Sequence, residues 1–373
     1  MSHARTVLLA LLAIPLALGG VSLQAGDLNP PGAPAPTANP AEPRTPISEL
    51  PFVISTPGSY YLTGNLTGIA ASPGISVEAD DVTIDLNGFA LIGVPGATAG
   101  VIVANSQVNL CIRNGTIRDW PSNGVSAGNA DVARLEDLTA LQCEIGGLSV
   151  GDSSIVTRCV VEGTGAPGFG LGIRVGQNSA VTDSIARLSG SHGISVQRNS
   201  RVTGCTAQGN GGLGIIASGG GGLVSHCLAE GNGSQGIGTQ ASSAVLSCRA
   251  SSNAGHGIIT SFSCAVVGCT ALFNDMNGFD LGAGCSITAS AAEANDGNGI
   301  NASNGCTITG CSANQNHTDG IVAANDASII NCTATSSTND GIEVTGGCLV
   351  TACAANSNGN GGDGAGIHVT GAD

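Results

Sequence analysis

From Gly172 to Asp340 the chain repeats a unit of about 21 residues, and a period of that length restricts it to a column of stacked, near-identical coils. The units open at Gly172, Gly193, Gly214, Gly236, Gly257, Gly278, Gly299, Gly320 and Gly341, a spacing of 21 interrupted by a single 22. In the unit from Gly299 to Asp319 the apolar positions are Ile300, Ala302, Cys306, Ile308, Cys311 and Ala313, alternating with polar residues in short runs. Such alternation belongs to strands, and no run between glycines is long enough for a helix. The Leu-x-x-Leu-x-Leu pattern of a leucine-rich solenoid is absent. The expected fold is all-β: a single-stranded parallel β-helix of about 13 coils, each of about 21 residues, between Gly74 and Gly366.

Stacking turns a residue that recurs once per coil into a ladder, with rungs ~4.8 Å apart. Ile173, Ile194, Ile215, Ile237, Ile258, Phe279, Ile300, Ile321 and Ile342 form an interior ladder. Asn210, Asn253, Asn274, Asn295, Asn316 and Asn358 form another at a turn, where side-chain amides can hydrogen-bond from coil to coil. The ladders also account for 14 cysteines. Cys159, Cys205, Cys227, Cys248, Cys269, Cys311, Cys332 and Cys353 share one inward slot, and Cys264, Cys285, Cys306 and Cys348 share another, so they read as free buried thiols rather than disulfides. No histidine stands at ligand spacing from them; neither a metal nor a cofactor is expected.

The first 25 residues read as a secretory signal peptide, with an apolar run from Val7 to Leu18 and a small-residue exit ending at Ala25. Residues 26–50 read as a Pro-rich linker, 51–73 as an N-terminal capping segment and 74–373 as the β-helix, its last coil incomplete. The expected location is therefore secreted, periplasmic or cell-surface, without a membrane span, and the unfinished end favours end-to-end association. Net charge is −15, every basic residue is Arg, and none lies beyond Arg249. Nucleic acid is excluded as a partner of the C-terminal third, because phosphate binding needs a basic footprint.

The segments PGSYYLTGNLTG (57–68), ISVEADDVTIDLNGFALIG (75–93) and IRNGTIRDWPSNGV (112–125), with the repeated coil starts, resemble the secreted right-handed parallel β-helix proteins of the pectin-lyase-like superfamily. Right-handedness is what the resemblance implies, in keeping with the preference of parallel crossovers. The superfamily's lyases use clustered acidic residues for Ca²⁺ and an Arg or Lys base on a groove along the first strand of each coil. Here the outward position of that strand runs Ser126, Ser149, Arg174, Ser195, Ile216, Gly238, Ile259, Asp280, Asn301, Val322, Glu343, His368. Asp280 and Glu343 are three coils apart, about 14 Å, too far to share an ion. The GHG at Gly255–Gly257 matches one element of the polygalacturonase-like set, but Asn277, Asn298, Asp319 and Asp340 fill the same slot elsewhere, so His256 reads as a turn residue.

These readings lead to a secreted, non-catalytic β-helix that presents a long surface for binding a polysaccharide, cell-surface glycan or the cell envelope. The alternative is a carbohydrate-active enzyme, a polysaccharide lyase or glycoside hydrolase, with its site in the N-terminal coils, the longer ones. The expected ligand site comprises Arg118, Asp119, Trp120, Phe169 and Arg174: the one Trp in the turn before Gly124 and a Phe in the matching long turn before Gly172, beside guanidinium donors for hydroxyls or carboxylates.

Overall fold

The computed structural model describes residues 44–359, 362 and 364–370. Residues 1–43, which hold the stretch read as a signal peptide and most of that read as a linker, lie outside the described part, as do the last three residues. All regular elements within it are strands, paired in parallel wherever they pair. One sheet has 15 strands, one from each coil, running from Phe52–Ile54 to Ile367–Val369. A second sheet carries the two remaining strands of each coil, which the eight-residue strands Cys111–Arg118 and Arg134–Leu141 join by passing through the bend. The solenoid thus has about 15 turns. It starts earlier than the sequence reading placed it: Arg44–Ile47, in the stretch taken as linker, pairs with Gly58–Leu62, and Phe52–Ile54 is already a full rung rather than a cap.

The register is set by burial. Ile173, Ile194, Ile215, Ile237, Ile258, Phe279, Ile300, Ile321 and Ile342 are fully buried, and a one-residue slip would turn every one of them to solvent. Each contributes about 1.5–3 kcal/mol by leaving water. In the next strand Val181, Val202, Val224, Val245, Val266, Ile287, Ile308 and Ile329 do the same, and an alanine column from Ala186 to Ala334 keeps the third side close.

Between these apolar columns run polar ladders. Asn210, Asn232, Asn253, Asn274, Asn295 and Asn316 are buried, and each of the first five donates Nδ2 to the Oδ1 of the next rung at 2.8–3.0 Å. Each Nδ2 also reaches the carbonyl of the alanine column, as Asn253 does with Ala229 O at 3.2 Å. A turn that would strand buried backbone groups is satisfied from within. Where serine takes the slot, at Ser189 and Ser337, the hydroxyl is left without a partner.

All fourteen cysteines are free. Those in the main slot point inward and donate Sγ–H to carbonyls, as Cys205 does with Thr203 O at 3.3 Å. Burial pushes the Cys143 and Cys159 thiols up to about 11. At the far end the column is more open: Ile367 and Val369 are exposed.

Candidate functional site

The outward row of the 15-stranded sheet runs the length of the column, and its register follows the sequence reading: Ser126 opposite Ser149, then Arg174, Ser195, Ile216, Gly238, Ile259, Asp280, Asn301, Val322, Glu343 and His368. It divides into three zones of different chemistry.

The first is cationic and shaped. Asn123–Ala127, Gly146–Val150 and Leu171–Val175 are five residues long where the other strands of the sheet have three. The extra residues raise a ledge beside the strand row. Between them lies a slot of about 140 Å³, lined by Asn123, Ile145, Gly146, Leu148, Leu171 and Arg174, with Ser149 also on its wall. Gly146 keeps it open: a Cβ there would stand 3.1 Å from Asn123 Oδ1 and 3.2 Å from Leu171 O. Arg174 also borders a wider groove of about 510 Å³, with Gln177, Ser195, Gln197, Arg198 and Ser218. Arg174 is exposed and makes no ion pair among the described residues; Arg198 donates Nε to Gly219 O at 3.1 Å and likewise has no carboxylate. By contrast Arg44, Arg113, Arg118, Arg134, Arg158 and Arg187 each pair with one.

The middle zone is apolar, a groove of about 340 Å³ between Leu213, Ile216, Gly238 and Ile259, rimmed by Gln235 and Gln240. The last zone is acidic. Asp280 accepts from Asn301 Nδ2 at 2.6 Å and Asn277 Nδ2 at 3.2 Å. Further on, Asp319, Asp340 and Glu343 bring one oxygen each within 4.8 Å of one another, the one group among the described residues with the reach to hold a metal ion. His368 Nδ1 lies 2.7 Å from Asp340 Oδ2. Burial, and secondarily the Asp340 charge, holds the Asp319 carboxyl above its ordinary value.

Two of those carboxylates have a structural task. His192, His256, Asn277, Asn298, Asp319 and Asp340 form a second polar ladder, each accepting a backbone N–H from the next coil, at Leu213, Asn277, Asn298, Asp319, Asp340 and Ala365. The GHG histidine is therefore a rung: its Nδ1 accepts from Asn277 N at 3.2 Å. The sequence reading saw this slot but not that its last two members meet Glu343 from the strand row, because turn and strand positions three residues apart converge only once the coil is closed.

The expected site residues separate. Arg174 and Phe169 are on the surface, Phe169 75% exposed on a turn whose Gly163, Gly165, Gly168 and Gly170 all have positive φ. Arg118 lies in the second sheet and pairs with the adjacent Asp119. Trp120 cannot serve as a platform: it is fully buried, with Nε1 donating to Leu91 O at 3.2 Å. It occupies the Asn-ladder slot. The carbonyls of Trp120, Cys143, Thr164, Ser189 and Asn210 all accept from the coil that follows in the same pattern, and the side chains of that slot point inward. Gly68 and Gly74 leave room for the indole; a Cβ would come within 2.7 and 2.9 Å of it.

Residues 171–309 match the family model described as a right handed beta helix region. No curated protein matches the chain. Among solved structures, a periplasmic alginate epimerase, AlgG, superposes with a TM-score of 0.52 at 14% identity, over 75% of this chain and 76% of that one. The A-module of the Azotobacter vinelandii mannuronan C-5 epimerase AlgE4 gives 0.45 at 15% identity, covering 84% and 89%. The catalytic unit of a GH87 α-1,3-glucanase from Streptomyces thermodiastaticus gives 0.39 at 15%, covering 86% and 63%. At these identities the likeness concerns the fold alone, and with the family match over residues 171–309 it gives the described chain the architecture of a right-handed parallel β-helix.

Proposed function

We propose that this protein is a secreted, non-catalytic β-helix that binds a glycan along the outward face of its 15-stranded sheet, between Ser126 and Ser218. The observation that carries the reading is the pair of guanidiniums at Arg174 and Arg198, without carboxylate partners, in a groove otherwise lined by hydroxyl and amide groups. Guanidinium forks suit carboxylates and vicinal hydroxyls, and a regular strand row suits a linear polymer. The lining of the groove and slot contains no carboxylate, imidazole or thiol to act as acid or base. Asp152 adjoins the groove, its Oδ1 accepting from the backbone N–H of Gln177 at 2.7 Å, while Asp85, Asp119, Glu136, Asp137 and Glu162 pair with arginines. Secretion rests on the leader-like first 25 residues. The epimerase named above acts on alginate, a polysaccharide; the face itself, and not that likeness, supports the reading.

The test is calorimetric titration of the mature chain with acidic and neutral polysaccharides, with cleavage assayed in parallel. The expected result is binding of an acidic polymer, weakened about a hundredfold in the Arg174→Ala, Arg198→Ala double variant, and no new chain ends. Equal binding by the variant would refute the placement. A second reading, polysaccharide cleavage at the other end of the face, is favoured by the raised Asp319 carboxyl beside Glu343 and the Asp340–His368 pair. Turnover lost in Glu343→Gln would replace the first reading with the second.

A further inference from the structure

We infer that the glycan bound on this face carries a short acyl substituent, an O-acetyl group, seated in the slot between Ile145 and Leu171 beside Arg174. The inference rests on the proposed glycan site and names its ligand more closely. Size comes first. A water takes up about 30 Å³ of the liquid, and sites that enclose a drug-sized ligand run to about 300–1,000 Å³. A slot of about 140 Å³ therefore takes a group of a few heavy atoms and not a sugar ring. The groove of about 510 Å³ beside it has room for sugar units, and Arg174 lines both. A polymer lying over Arg174 would project a substituent of one residue into the slot.

The chemistry of the walls selects the substituent. Ile145, 57% exposed, and Leu171 both line the slot with Gly146 and Gly147, apolar surface that gains by being covered. Among the polar lining residues, Asn123 stands in register with Gly146 and Leu171, and Ser149 with Arg174, and none of the three makes a side-chain hydrogen bond among the described residues. A bare hydroxyl would leave the apolar walls wet, and a bare carboxylate would be desolvated against them. An acetyl ester suits this mixed lining: its methyl covers Ile145 and Leu171, and its carbonyl oxygen accepts from the Asn123 amide, the Ser149 hydroxyl or the Arg174 guanidinium. The longer strands that build the slot occur in this part of the sheet and nowhere else in it among the described residues, so the slot is a local addition to the repeat.

The experiment compares matched pairs of polymers on the mature chain: O-acetylated polygalacturonate with its alkali-de-acetylated parent, and acetylated xylan with its parent. Wild type should bind an acetylated member about tenfold more tightly than its parent. Ile145→Asn and Leu171→Asn should each erase that preference, so that the acetylated and parent polymers bind the variant with equal affinity. Equal affinity for both members of every pair, with binding still lost in the Arg174→Ala, Arg198→Ala variant, overturns the acetyl assignment and leaves the glycan face standing. No binding of any of the four polymers overturns both.

Discussion

The two halves of the column use the same coil for different ends. From Gly257 to Val344 the unit is held to 21 residues, its strands to three, and its turns are locked by the Asn253–Asn274–Asn295–Asn316 amides and by thiols. Between Asn123 and Ser189 the same slots hold Cys143, Thr164 and Ser189 in place of Asn, three strands lengthen, and the turn around Phe169 departs from the repeat. Charge follows the division: after Arg249 the chain has ten acidic residues and neither Arg nor Lys, whereas all the arginines of the described region lie at or before that point. Regularity makes each rung support its neighbours but leaves a flat, shallow surface. The shaped slot sits where the strands of the sheet lengthen, and the groove bearing Arg174 and Arg198 adjoins it at the start of the strict repeat.

The largest effect that would sharpen this contrast is expected at Trp120, which does by bulk in the early coils what the amide ladder does later. Trp120→Ala should cost about 3–5 kcal/mol by denaturant unfolding, and a loss under about 1 kcal/mol would mean that the early column is not packed around the indole. In the regular half, Asn274→Ala removes a side chain that donates to Ala250 O and Asn295 Oδ1 and accepts from Asn253. It should cost about 2–3 kcal/mol through the buried groups it strands. A neutral result would break the claim that amides carry the regular half.

Alkali should probe the early coils. The Cys143 and Cys159 thiols are raised from 9.0 to about 11 in the fold, so the unfolded chain gives up their protons first. Their contribution is therefore fully present below about pH 9 and is lost as pH rises toward 11, by up to about 2 kcal/mol each. The midpoint of urea unfolding between pH 8 and 11 checks this, and a Cys143→Ala, Cys159→Ala variant should flatten the decline. The smallest effect is a gain. Ser337 interrupts the Asn ladder with an unsatisfied hydroxyl between Asn316 and Asn358, and Ser337→Asn should stabilise by about 1 kcal/mol.

Much of this architecture was legible in the chain itself, since a strict period dictates which residues stack. The isoleucine and asparagine ladders, the inward cysteines, the outward row and the structural role of His256 all follow from counting by 21. Counting fails where the coils stop being equal. Trp120 precedes the strict repeat, so its place in the Asn slot was hidden by coils of 23 to 25 residues, and an inward indole looked like a surface one. The strand at Arg44–Ile47 was masked by the prolines around it; Pro46 is tolerated because the strand lies at the edge of the sheet. Ile145 and Leu171 carry no signal in the sequence, and only the closed coils bring them to the lining of one slot. The meeting of Asp319, Asp340 and Glu343 likewise needs cross-coil geometry.

The central claim is that ligand contact belongs to the irregular, cationic half of the face, and hydrogen exchange with and without a bound acidic polysaccharide tests it along the whole column at once. The account predicts added protection confined to Asn123–Ala127, Gly146–Val150, Leu171–Val175 and Ile194–Val196, with Phe279–Leu281 and Ile342–Val344 unchanged. Protection centred on the strands bearing Asp280 and Glu343, with the Arg174 strand unaffected, would contradict it.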